Sequence, residues 1–369
     1  MSGAVSDRRI LTQHVLTGEW LTHNLPLQGL EYGPELNGPG ALTGTLTPRL
    51  APQTIRLVDP GTTCIYVEEA GELTWGGLVW DTRPKGNVLE VEAASWSSYL
   101  HRRHDLHGQL NGRGPYTNAD RTKVMRDIWA YAQSVLDGNL GVIVDSTTSG
   151  SLIGTPADPY KLNAWETPNL GDKFDELADG DATPDYTCTT EWNTARTAVV
   201  KRVRIGWPRL GARRTDISFA TGVNVLDDPE IIMSGDEYAQ VVIASGQGDG
   251  SAKRRQTSAV RDGRLRLEHV LDLPDIKAND VLAARAARER TRRQRIGTIA
   301  EVVVRDHPAA PLGSWQVGDD IYVRIHNAWT SYTGWCRITG WTTRPDAPGG
   351  PQATVRLVPA DSYQYGGTT

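Results

Sequence analysis

The chain has 369 residues, a net charge of −5 and a mean hydropathy of −0.42. That length carries two or more cored domains, and the mildly acidic balance argues against a dedicated nucleic-acid binder. No apolar run approaches a membrane span, and "MSGAVSDRRILTQ" lacks the apolar core of a signal peptide, so a cytoplasmic site of synthesis and assembly is expected.

Residues 10–100 read as short strands with close-spaced turns. "ILTQHVL", "LPLQGLEYG", "ALTGTLTPRL", "CIYVEEAG", "ELTWGGLVWDTRP" and "VLEVEAASWSSYL" alternate in period two, punctuated by Gly and by Asn37-Gly38, which points to antiparallel sheet. The polar connection "HRRHDLHGQLNGRGPYTNAD" follows. A helix is expected over Asp120–Leu136, with Val124, Ile128, Tyr131 and Val135 on one face, Asn118 or Asp120 as N-cap and Gly138 closing it. "GVIVDS" reads as a strand, and a short helix is expected around Lys173–Leu177. Residues 105–189 thus form an α/β insertion in a β-rich chain. Strands resume at 186–194 and 196–207, a second helix is expected over Asp280–Gln294 with Asn279 or Asp280 as cap, and 298–358 is β again. "DSYQYGGTT" reads as a flexible terminus.

The run "EYAQVVIAS" leads into "GQGDGSAKRR" and resembles a dinucleotide-binding turn. Such a turn needs a helix directly after the glycines, whose N-terminal N–H groups hold phosphate. Here the chain continues with "QTSAVRDGRLRLEHVLDL", so the pattern reads strand, wide glycine turn at 246–250, strand. His101, His104 and His107 fall at i, i+3, i+6, but no acidic residue supplies a general base and Arg102 and Arg103 would repel a dication. Asp172, Asp175, Glu176, Asp179, Asp181, Asp185 and Glu191 lack calcium-loop order and read as a solvated acidic loop. No G-x-S-x-G elbow, Walker loop or CxxC pair occurs, and Cys64, Cys188 and Cys336 read as small buried hydrophobes. We therefore expect no catalytic residues, no metal and no cofactor.

Arginine far exceeds lysine, and 12 Trp and 12 Tyr stand against 2 Phe, a bias toward residues that serve protein interfaces. Basic clusters occur at Lys201, Arg202 and Arg204, at Lys253, Arg254 and Arg255, and from Arg285 to Arg295. Arg202, Arg204, Arg254, Arg255, Arg288 and Arg292 are candidate subunit-interface residues, since arginine suits bidentate ion pairing between chains.

The order of segments resembles the tail-hub (baseplate hub) or minor tail proteins of long-tailed phages of actinobacteria. "TGEWL" and "LPLQGLEYGPELNGPGALTGTL" resemble the family's opening hairpins. "LTWGGLVWDTRP" with "LEVEAASWSSYLHRR" resembles its second β-module, ending in a Tyr-Leu-x-x-Arg step. "DRTKVMRDIWAYAQS" and "GVIVD" resemble the inserted domain, and "EYAQVVIASGQGDGSAKRR" and "PLGSWQVGDDIYVRI" resemble its glycine turn and late Gly-Asp strand pair. Sparse hydrophobicity in 145–185 departs from that pattern.

The resemblance implies an α+β, mostly β fold: two barrel-like antiparallel β modules of tail-tube type with an inserted α/β domain. The modules would be 1–104 with about 190–215, and 216–369 with the helix at about 280–294. It implies a non-enzymatic virion protein at the distal end of the tail. Three chains would form a pseudo-six-fold ring joining tube to tip, with distal tail, tape-measure and tail-tip proteins as neighbours and DNA transiting the lumen without sequence-specific binding. The rival reading is a receptor-binding or polysaccharide-degrading tail-tip protein, resting on Trp315, Tyr322, Trp329, Tyr332, Trp335 and Trp341. Of these, Trp329, Tyr332 and Trp335 are candidates to stack on sugar faces, against the plainer reading of sheet packing. A nucleotide-binding enzyme is a more remote third class.

Overall fold

The computed structural model describes residues 8–47, 52–180, 183–274, 276–294 and 297–360. The tail at 361–369, Asp181 of the acidic segment and Arg295 of the arginine run lie outside the described residues. The fold is mixed α+β and mostly β.

A twelve-stranded sheet organises the molecule. Its main path runs 213–220, 320–326, 331–344, 28–33, 41–46, 88–94, 72–85, 63–69, 8–14 and 20–22, and the strand 352–359 pairs with both 331–344 and 301–305. N-terminal and C-terminal strands thus belong to one sheet, but they meet at a narrow seam. Tyr32 pairs with Thr343, Glu35 bridges to Gly340, and the Leu36 N–H donates to the Thr339 carbonyl at 2.8 Å. Glycine is required here, because a Cβ on Gly33 would lie 1.8 Å from the Trp341 carbonyl oxygen.

The apolar run in Thr63–Glu69 is buried on both faces of the sheet. Its alternation sends Ile65 and Val67 into one core with Ile10, Leu42, Val79 and Val91, and Cys64 and Tyr66 into another. This second core draws most of its residues from 110–186. Trp129, Phe174, Tyr186 and Val203 pack there against Trp96. The helix Arg121–Ser134 buries Val124, Ile128, Trp129, Tyr131 and Ala132, and the Asp120 carboxylate caps it by accepting from the Thr122 N–H at 2.9 Å. It stops at Ser134, before the expected Leu136. Asp137 takes the left-handed conformation, while Gly138 serves close packing: a Cβ there would sit 2.5 Å from the Ala132 carbonyl oxygen. The helix Leu170–Ala178 is longer than expected because Asn169 caps it, accepting from the Gly171 and Asp172 N–H groups. Strands 185–192 and 199–206 pair antiparallel, and Val142–Val144 joins the latter in parallel.

The C-terminal strands enclose a third core around Phe219, Trp315, Ile321, Val323, Ile338 and Val355. From it hangs a small appendage, 234–296, carried on the antiparallel stem Ile231–Met233 and Gly297–Ile299. Three strands, ordered 255–259, 241–245, 268–272, support the helix Asn279–Arg293 over Val242, Ala244, Leu282 and Ala286. The expected cap differs. Ala278 occupies that position without a side-chain bond, and Asn279 and Asp280 lie inside the helix. Its buried face is narrow, made by Leu282 and Ala286, with Val281 turned outward.

Candidate functional site

The glycine segment follows the strand–turn–strand reading. Val241–Ser245 pairs antiparallel with Arg255–Ala259 across Gly246–Arg254, where the only helical turn is the three-residue Gly250–Ala252. The three histidines do not converge. His101 sits between Asp175 and Asp172, at 3.2 and 3.5 Å, His107 Nδ1 contacts the Tyr131 hydroxyl at 2.8 Å, and the His104 backbone bridges to Asn169. The hydrogen bond that the His101 ring donates to Asp175 is the main cause that raises the His101 pKa above its ordinary value. Among the described residues no group of three or more His, Cys, Asp or Glu is placed to hold a metal. Cys64 and Cys336 are buried and Cys188 is partly so.

The acidic segment is not simply a solvated loop. Asp172, Asp175, Glu176 and Asp179 stand on or just past the helix Leu170–Ala178 and, with Asn37 and Ala178, line a concavity of about 550 Å3. Asp185 is buried and structural. It accepts from the Leu210 N–H at 2.8 Å and from Asn37 Nδ2 at 3.2 Å, and it is ion-paired with Arg337. Arg337, 3% exposed, also donates to the carbonyls of Gly318 at 3.3 Å and Leu210 at 3.2 Å. Beside this pair, Arg209 Nη2 meets Asp320 Oδ1 at 2.7 Å, and Asp319 accepts from the N–H groups of Ala212 and Gln316 at 2.9 and 3.1 Å. The node joins the strand 185–192 and the segment 209–214 to the strands 320–326 and 331–344, bracing the seam between the two ends of the chain.

The sequence-derived basic residues separate into distinct environments. Lys201, grouped with a surface cluster by sequence, is 8% exposed; its ammonium donates to the Leu140 carbonyl at 3.2 Å and lies 5.1 Å from the Trp96 ring. Arg202 pairs with Asp145 and Glu191, and Arg204 donates to Gln316 at 3.0 Å. Both are therefore engaged within the chain. Arg254, Arg255, Arg288 and Arg292 are exposed on the appendage, and Arg292 is forked onto Glu289 at 2.7 and 2.9 Å. With Arg292 as the leading cause and Arg293 adding to it, the Glu289 carboxyl is held down at about 2.

The aromatic stretch does not form one platform. Trp315 is buried against Phe219 and Trp341, and Tyr332 is buried with its hydroxyl 3.2 Å from Cys336 Sγ. Trp335 stacks edge-on with Tyr322 at 5.2 Å under the Arg213 guanidinium, 4.7 Å from its ring. Trp329 stands apart on the turn before Ser331, 94% exposed. The reading from sequence missed the node of Asp185, Arg209, Asp319, Asp320 and Arg337; the signal was an Asp-Asp pair opening an alternating apolar strand.

Comparison with known proteins places this fold. No protein-family model matches the sequence, and no curated protein matches it. Among solved structures, a 43 kDa tail protein of prophage MuSo2 from Shewanella oneidensis aligns over 96% of this chain and 99% of its own, at 15% identity and a TM-score of 0.57. A tail protein from Neisseria meningitidis MC58 aligns over 95% and 96%, at 11% identity and a TM-score of 0.54. Prophage tail protein gp18 from Listeria monocytogenes EGD-e aligns over 94% of each chain, at 9% identity and a TM-score of 0.53. At such identities the likeness is one of fold, and it extends through nearly the whole of each chain.

Proposed function

We propose that this chain is a non-enzymatic structural protein of a phage tail, the hub that joins the tail tube to the tail tip at the distal end of the virion. One observation carries the reading: three tail proteins, two of them from prophages, share the fold over 94–99% of their own lengths. In this reading 1–104 with about 190–215, and 216–369, are two barrel-like modules of tail-tube type, and 105–189 is an insertion. Three copies form a pseudo-six-fold ring that matches the six-fold tube above to a three-fold tip below. The neighbours are the distal tail, tape-measure and tail-tip proteins, and DNA passes through the lumen without sequence-specific contact. The actinobacterial phage relationship suggested by the segment order belongs to the same proposal, as does assembly in the host cytoplasm.

Reconstruction of the distal tail end by cryo-EM tests this. A three-fold ring of this chain around the tail axis is expected; copies placed outward on fibres would overturn it. A second reading, attachment to host polysaccharide, draws on the isolated exposure of Trp329. It predicts that Trp329→Ala abolishes binding to cell-wall polysaccharide while the fold is kept.

A further inference from the structure

We propose that the outward face of the helix Asn279–Arg293 docks onto the acidic concavity beside Leu170–Ala178 of a second copy of this chain, in a head-to-tail contact. The inference rests on the ring reading above and names the surfaces that would close it.

The charge is divided sharply along the sequence. The appendage 234–296 holds 13 Lys and Arg against 9 Asp and Glu, a net +4, which leaves −9 on the rest of a chain of net −5. Within that remainder, 157–191 holds nine carboxylates against two lysines. On the helix Asn279–Arg293, Leu282 and Ala286 face its own sheet, while Val281, Ala284, Arg288, Thr291 and Arg292 are exposed at helical spacing on the opposite side. Glu289 grips Arg292 from within the helix, so its guanidinium is held in place before any partner arrives, which lowers the ordering cost of a contact. Across from it in chemistry, Asp172, Glu176 and Asp179 are exposed at i, i+4 and i+7, around a concavity whose floor includes Ala178. The ion pairs of these carboxylates run to His101 and Lys173, close to their own helix.

A nucleic acid would satisfy the basic face and be repelled by the acidic one. A second copy satisfies both, because each chain carries one surface of each sign. Two different surfaces in contact make a heterologous interface, which closes into a ring when the rotation per subunit allows it. A two-fold dimer would have to make both contacts at once across one axis, whereas a ring makes one per neighbour.

Native mass spectrometry of the full-length chain, across salt and protein concentration, tests the contact. The wild type is expected to form trimers that loosen as salt screens the pairing. Arg288→Glu with Arg292→Glu, and separately Glu176→Lys with Asp179→Lys, should each weaken assembly by at least about tenfold. Combining all four in one chain should restore the trimer, a rescue that a folding defect would not produce. Trimers undiminished in both pairs of substitutions, or unrestored in the fourfold variant, would overturn the contact and leave the ring reading standing. A wild type that never oligomerises, with tails lacking a three-fold ring, would overturn both.

Discussion

Replacing Arg337 with Met should cost about 3–5 kcal/mol of stability, the usual penalty for breaking a buried ion pair from one side. The side chain is 3% exposed and donates to Asp185 and to the carbonyls of Gly318 and Leu210. Methionine keeps much of the aliphatic stem, so the loss is dominated by the charge left behind rather than by a cavity. Asp185 would retain only the Leu210 N–H and Asn37 amide as partners. Asp185→Asn alone preserves an acceptor for Leu210 and leaves Arg337 without its counter-charge. The double variant removes both charges together, and its loss should fall short of the sum by about 2–3 kcal/mol, near the top of the range for contacting residues. Urea denaturation followed by tryptophan fluorescence and far-ultraviolet dichroism measures all four corners of the cycle. Since the node spans the seam, Arg337→Met should also separate the two probes' transitions, which are expected to coincide in the wild type. A loss under about 1 kcal/mol, or a coupling near zero, would refute the account of the seam as charge-braced.

Gly33→Ala drives a methyl into the Trp341 carbonyl, backbone against backbone, and should cost about 3 kcal/mol or more in the same denaturation assay. Trp315→Ala should lose about 3–5 kcal/mol as a buried aromatic, whereas Trp329→Ala, 94% exposed, should stay within about 0.5 kcal/mol. His101 is bound more tightly as the cation, because Asp175 and then Asp172 raise its pKa. A raised folded pKa means its contribution is fully present below the unfolded value of about 6.5 and is lost as pH rises through the folded one. His101→Gln should therefore narrow the gap in urea midpoint between pH 6 and pH 8.5; an unchanged gap would show that the pair contributes nothing.

Local physics made much of the fold legible. The period-two runs of the N-terminal third, the face of Val124, Ile128 and Tyr131, and the strand–turn–strand character of Gly246–Arg254 follow from neighbours within a few residues. Errors arose where distant packing decides. Asp185 and Arg337 are 152 residues apart, and isolated carboxylates and guanidiniums read as solvated unless a partner is visible. Lys201 reads as part of a basic cluster for the same reason, although strand alternation places it inward between Arg202 and Val200. Tyr332 and Trp335 differ by three positions on one strand, so they point to opposite faces and cannot form the shared stacking surface that composition suggested.

The stem of the appendage has a bearing on how such a chain can diversify. Met233 is paired with Gly297, so 234–296 leaves and re-enters the fold at one point and packs around its own apolar centre. A segment tethered this way is a cassette: lengthened, shortened or exchanged between lineages, it need not disturb the strands that carry it. Replacing it with a two-residue hairpin, or grafting a foreign domain onto the same stem, should leave those strands folded while removing whatever contact its helix makes with a second copy.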